Sequence, residues 1–178
     1  IVTDDTWRIT DRGPIRANHE YDGETYDARH DMPGWDAPGL NDSAWEPAQL
    51  VDAPGGRLEA HMLEPTRMIE KVSPVEIHRH TSGAWMVDFG QIYYGQPQIR
   101  IDGPAGAEIR IEEAYSLRPD GRLKTEDNRG AMCTDVYICN GSGERTWAPR
   151  FRGQGLRWLQ ITGWPGALTA EQVQLLVV

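Results

Sequence analysis

The chain has 178 residues, a length that suits one domain with its own core and no need of disulfides or metals to hold it. It carries 18 Lys+Arg against 27 Asp+Glu, a formal net charge of −9, and residues 1–60 alone hold 13 acids against 5 bases. Neither part offers the basic face that nucleic acid or an anionic membrane surface requires, so both partners are excluded as expectations.

At 25% charged and 39% apolar residues the composition is globular, and 19 Gly with 12 Pro argue for many short elements. Seven of the fifteen aromatics are Trp, which points either to sugar stacking or to a core built on large rings. The sequence begins at Ile1 rather than Met and reads as a segment of a longer protein, with the compartment left open. Its closing apolar run, Val173 to Val178, reads as a surface meant for another domain. No stretch approaches the roughly 18 apolar residues of a membrane-spanning helix.

In chain order, Trp7-Arg8-Ile9 reads as a strand, and residues 1–20 as a linker or a strand from a preceding domain. Residues 21–178 then form the main domain. Tyr21 to Asp52 reads as a long ordered loop region with short strands, opening on Tyr21-Asp22-Gly23-Glu24-Thr25-Tyr26-Asp27-Ala28-Arg29. Such a stretch can bind sugar hydroxyls or a hard cation, or its carboxylates can simply hold backbone N–H groups and Arg29. A glycosidase pair among these acids would need two carboxyls about 5–5.5 Å or 6.5–9.5 Å apart across a cleft. A helical turn is expected at Asn41 to Trp45.

From Val75 onward, apolar and polar residues alternate with period two. Strands are predicted at 75–79, 85–89, 98–102, 108–112, 134–139 and 157–162. Turns are predicted at Ser82-Gly83, 103–106, 119–121 and 140–143. Short strands with turns between them predict an all-β fold, a jelly-roll-type β-sandwich. Cys133 and Cys139 lie about 20 Å apart if they share a strand, beyond disulfide reach, and are expected as free thiols. His78 and His80 face one side of a strand without an evident third metal ligand.

Two further features bear on binding. Glu126-Asp127-Asn128-Arg129 places a carboxylate beside an amide oxygen in a loop, chemistry suited to Ca²⁺ or a diol. Trp35, Trp45 and Trp85 are candidates for stacking on a sugar face, with burial in the core as the alternative for each.

Read in order, several of these segments resemble the N-terminal, non-catalytic part of bacterial α-L-rhamnosidases. They are Gly13-Pro14-Ile15, Tyr21 to Arg29, Gly34-Trp35, Pro38-Gly39, Asn41 to Trp45, Asp88-Phe89-Gly90-Gln91, 103–106, Thr134 to Tyr137, Pro149-Arg150-Phe151 and Thr162 to Gly166. Two places depart from the family pattern. Ile92 stands where Asn is usual, and Arg152-Gly153-Gln154-Gly155 stands where Thr-Tyr-His-Gly is usual. The resemblance implies β-sandwich domains preceding a catalytic (α/α)₆ barrel, in an enzyme whose chemistry lies outside this chain. It also implies a carbohydrate-binding module for L-rhamnose or rhamnose-bearing glycans, with Ca²⁺ bridging protein and sugar. The expected ligand-binding residues are Asn18, Asp22, Glu24, Trp85, Asp127 and Asn128, with Asp127 and Asn128 also holding the metal. The expected partners are a rhamnose-bearing carbohydrate and the other domains of the parent enzyme. The alternative is a purely structural sandwich that supports the catalytic barrel.

Overall fold

The computed structural model describes residues 4–178. It is an all-β structure, with 3-10 turns as its helical elements. Strands β1 (Arg8–Ile9) and β4 (Glu46–Pro47) form a small antiparallel ribbon. The main sheet runs β2 (Ile15–His19), β3 (Gly23–Asp27), β9 (Thr134–Ile138), β8 (Glu108–Ala114), β11 (Gln154–Thr162), β7 (Trp85–Ile101), β12 (Val173–Val177) and β5 (Glu70–Val72). Strands β6 (Glu76–Arg79) and β10 (Arg145–Trp147) pair with β7 off this path.

The alternating runs fall on strands as predicted, with one correction. Residues 85–89 and 98–102 are not two strands but the ends of β7, which is 17 residues long. Gly90, Gly95 and Pro97 between them read as punctuation, yet each is accommodated within the strand. Four residues of β7, from Phe89 to Ile92, sit opposite the register shift between Leu156 and Trp158 of β11, where Gly90 takes φ +82°. Gly95 lies so close to β12 that an added Cβ would stand 2.2 Å from the Leu176 carbonyl oxygen. The two halves of β7 therefore have different neighbours: β6 and β11 flank Trp85 to Asp88, whereas β12 and β10 flank Ile99.

Period two explains which side chains are buried. Val87, Phe89, Ile99 and Ile101 of β7 join Ile109 and Ile111 of β8, Leu159 and Ile161 of β11, and Val173, Leu175 and Val177 of β12 in one core. Each fully buried side chain of this size contributes roughly 1.5–3 kcal/mol. The C-terminal apolar run is therefore β12, hydrogen-bonded between β7 and β5 and packed into the core of its own domain. It is not a free surface as expected.

The N-terminal motif enters the same sheet. β3 pairs parallel with β9, Thr25 opposite Val136, and β2 pairs antiparallel with β3. Gly23 fixes this entry, because at φ +120° an added Cβ would stand 1.8 Å from the Thr134 carbonyl oxygen. The expected helical turn at 41–45 is a tight turn instead, closed by Trp45 N–H on the Asp42 carbonyl (2.8 Å) and Ser43 N–H on Asn41 Oδ1 (3.1 Å). Cys133 and Cys139 are buried free thiols.

Candidate functional site

The acids of the 21–29 motif are tied into the fold one by one. The Asp22 carboxylate accepts Met132 N–H at 3.0 Å, and its carbonyl accepts Thr134 N–H at 2.8 Å. Glu24 is buried. Its Oε2 accepts Asn18 Nδ2 at 3.0 Å and Arg150 N–H at 3.1 Å, while its Oε1 has no partner. Burial raises the Glu24 carboxyl above the ordinary range, against the pull of its donors. Asp27 takes the opposite course. It receives Arg29 Nε and Nη2 at 2.9 and 2.8 Å and caps the 3-10 turn at 28–30 through Arg29 N–H, so the Arg29 hydrogen bonds hold it below the ordinary range.

A second acidic group lies deeper. Arg152 is buried and reaches both Glu113 oxygens at 2.9 and 2.6 Å, Asp135 Oδ2 at 2.5 Å and Gln154 Oε1 at 3.0 Å. Asp135 in turn accepts Glu24 N–H at 2.8 Å, which ties this group to the motif. One guanidinium faces two carboxyls, and an uncompensated buried charge is costly. Burial accordingly pushes Glu113 up to about 8, with Arg152 opposing and Asp135 adding to the rise. Burial raises Asp135 as well. The two acids therefore titrate as a pair rather than independently.

Gln154, which Arg152 reaches, also borders a cavity of about 860 Å³. Asp22, Asp127 and Asn128 line it together with Tyr21, Tyr94, Tyr115 and Gln154, so three of the six expected ligand-binding residues meet here. Two aromatic walls come from residues that the sequence did not single out. Tyr94 stands over Gly153 and Tyr115 over Gly155. An added Cβ would lie 3.0 Å from the first ring and 2.8 Å from the second. Both glycines belong to the Arg152-Gly153-Gln154-Gly155 stretch. A side chain at 153 would meet the Tyr94 ring directly. Two glycines one residue apart at the start of β11 are the legible signal.

The other expected residues lie apart from this cavity. Asn18 bonds Glu24 across the β2–β3 pair. Trp85 is half-buried against the main core, on β7 opposite Ile161 and Arg79, with the Arg79 guanidinium 5.6 Å from its ring centre. Trp35 and Trp45 line a different cavity of about 1040 Å³ together with Arg145, Arg150 and Phe151.

The fit to Ca²⁺ is partial. Asn128 donates Nδ2 to the Glu113 carbonyl at 3.1 Å, leaving a buried Oδ1 with no partner. The Asp127 carboxylate already faces Lys124 Nζ at 3.0 Å and Ser116 Oγ at 3.4 Å. Ca²⁺ takes about six to eight oxygens. Among the described residues no three His, Cys, Asp or Glu side chains converge as a metal cage. The orphan amide oxygen and the adjacent carboxylate therefore fit only part of a shell, to be completed by hydroxyls or water. His78 lies 3.3 Å from Glu76, whereas His80 bonds Ser82 and the Asp120 carbonyl, so the two do not share a ligand.

Comparison with known proteins follows the same lines. Residues 1–70 match the α-L-rhamnosidase N-terminal domain and residues 78–178 the bacterial α-L-rhamnosidase concanavalin-like domain. An α-L-rhamnosidase of Streptomyces avermitilis is 35% identical over 97% of this chain, and one of Formosa agariphila is 32% identical over 97%. The chain spans 17% and 19% of those two proteins, about a fifth of their length. Among solved structures, α-L-rhamnosidase from Dictyoglumus thermophilum superposes with a TM-score of 0.95 at 39% identity, covering 99% of this chain and 20% of its own. The Streptomyces avermitilis α-L-rhamnosidase complexed with L-rhamnose gives 0.95 at 34% identity, covering 99% of this chain and 17% of its own. The β-sandwich, the motif order and these matches together place the chain in the bacterial α-L-rhamnosidase family, as its N-terminal and concanavalin-like domain region.

Proposed function

We propose that this chain is a non-catalytic carbohydrate-binding region of an enzyme that cleaves α-L-rhamnosides, and that it holds L-rhamnose or a rhamnose-bearing glycan in the cavity between Tyr94 and Tyr115. The observation that carries the reading is the convergence there of two tyrosine rings, two carboxylates and an unpartnered amide oxygen. Rings cover the apolar face of a sugar while acceptors bind its hydroxyls. Asp22, Asp127 and Asn128 are the hydroxyl-binding side chains. Asp127 and Asn128 would hold Ca²⁺, which when bound supplies a bridge to adjacent hydroxyls. The deep acids Glu24, Glu113 and Asp135 are sealed from solvent and support the cavity rather than touch the sugar.

Calorimetric titration of L-rhamnose into the 178-residue chain, with Ca²⁺ and with chelator, tests the proposal. Saturable heat is expected, weakened roughly two- to tenfold by Tyr94→Ala. Absence of heat and of any melting shift up to millimolar sugar in both conditions would overturn it. Lys124→Ala frees the Asp127 carboxylate and should tighten Ca²⁺ binding, read as a larger melting shift on Ca²⁺ addition.

A second reading, a purely structural sandwich supporting the parent's catalytic barrel, is favoured by the motif acids, which are all engaged in internal bonds. Under it, substitutions at Asp22 and Glu24 lower stability and no variant binds sugar.

A further inference from the structure

Residues 49–69 connect β4 to β5 without forming any strand or helix, and every one of them is exposed. Their ends are anchored: Ala48 N–H bonds the Trp7 carbonyl at 2.9 Å, and Ile69 N–H bonds the Val177 carbonyl at 2.8 Å. Between those anchors, among the described residues, the segment makes no backbone hydrogen bond to the rest of the chain. Its side-chain contacts are local, His61 on the Leu63 carbonyl at 2.8 Å and Arg57 beside Glu59 at 3.7 Å.

A solvated loop of this kind would be polar. This one presents Leu50, Val51, Leu58, Met62, Leu63 and Met68, with Leu58 and Met62 exposed at 101% and 95%. With Ile69, seven large apolar side chains in one uncovered strap exceed what a free surface ordinarily shows. Their conformational entropy is unrestrained by anything in the domain.

The comparisons bear on what covers them. The strap is about an eighth of the 178 residues, and superpositions covering 99% of the chain at TM-scores of 0.95 take it in. A segment with no backbone hydrogen bond to the rest of its domain between the two anchors thus follows the same path in two relatives about five times as long as this chain. Whatever fixes that path lies outside the matched region. We infer that residues 49–69 are a docking strap whose apolar side chains are covered by the remaining domains of the parent polypeptide, on a complementary apolar groove. The inference rests on the family membership and on the chain being part of a protein of its relatives' length. It is independent of sugar binding.

Hydrogen–deuterium exchange on the full-length parent tests it. The amides of 49–68 should exchange at least tenfold more slowly than an uncovered chain, independent of protein concentration. In the parent carrying Leu58→Ser and Met62→Ser that protection should fall, with exchange in β8 and β11 unchanged. Free exchange of the strap in the wild-type parent overturns the inference. So does protection that disappears on dilution, which would make a second copy the occupant, and so does protection that survives both substitutions. The mass of the purified native polypeptide reports separately whether the chain belongs to a longer protein.

Discussion

The 49–69 strap and the Arg152 group are opposite solutions to the same accounting of polar and apolar groups. Around Arg152 the polar groups are buried and nearly all find partners within the domain, across 39 residues to Glu113 and 17 to Asp135. Along the strap the apolar groups are exposed and find none. The domain thus encloses charge at Arg152 and leaves hydrocarbon uncovered along the strap, the reverse of the arrangement expected at each place from hydrophobicity alone. The difference separates the residues that set this domain's own stability from those that set its relation to a partner.

The comparison can be broken most directly at Arg152. Arg152→Leu leaves two buried carboxyls without a cation and should cost about 3–5 kcal/mol, measured by denaturant unfolding. A loss within 1 kcal/mol would mean that the acids are already neutral without it. Asp27→Ala removes a cap and a paired carboxylate and should cost about 1–2 kcal/mol.

The pH response sharpens the same point. Glu113 is raised in the folded state, so the fold favours its protonated form. That contribution is fully present below the ordinary carboxyl range and is lost as pH rises toward about 8. The melting temperature should therefore fall between pH 5 and pH 8, scanned in about one-unit steps, and Glu113→Gln should flatten the slope. The smallest effect is expected in the strap: Leu58→Ser should shift the stability of the 178-residue chain by no more than about 0.5 kcal/mol. A larger loss would show that the strap packs on its own domain.

How far the sequence reveals these regions depends on the range of the interactions. The strands of the second half were legible because alternation is a local signal, and Ile109 with Ile111 needs only its neighbours to be placed on a face. β7 is not legible as one strand, since Gly90 and Pro97 resemble breaks until the register shift on β11 and the Leu175 partner on β12 are known. The Glu126 to Arg129 loop and the Asp22 motif were each visible as polar clusters. That they share a cavity follows from the pairing of β3 with β9, more than a hundred residues apart in sequence. Tyr94 is hard to read as a wall because a ring on a strand looks like core, and Tyr115 because it follows directly on the end of β8. Only the small residues beneath them, Gly153 and Gly155, mark the space they border. The strap was in plain view as an apolar stretch in loop-like sequence, but its exposure requires knowing that no strand of the sandwich takes it up.

The parallel pairing of β3 with β9 has a consequence for how this region can be divided. The two family domains that match the chain meet between residues 70 and 78, yet one sheet runs through both, with Thr25, Tyr26 and Asp27 of the first beside Val136, Tyr137 and Ile138 of the second. A cut at that boundary would leave β9 with a bare edge and the Glu24 amide without its Asp135 acceptor. The two family domains therefore share one sheet, and separating them breaks hydrogen bonds of both.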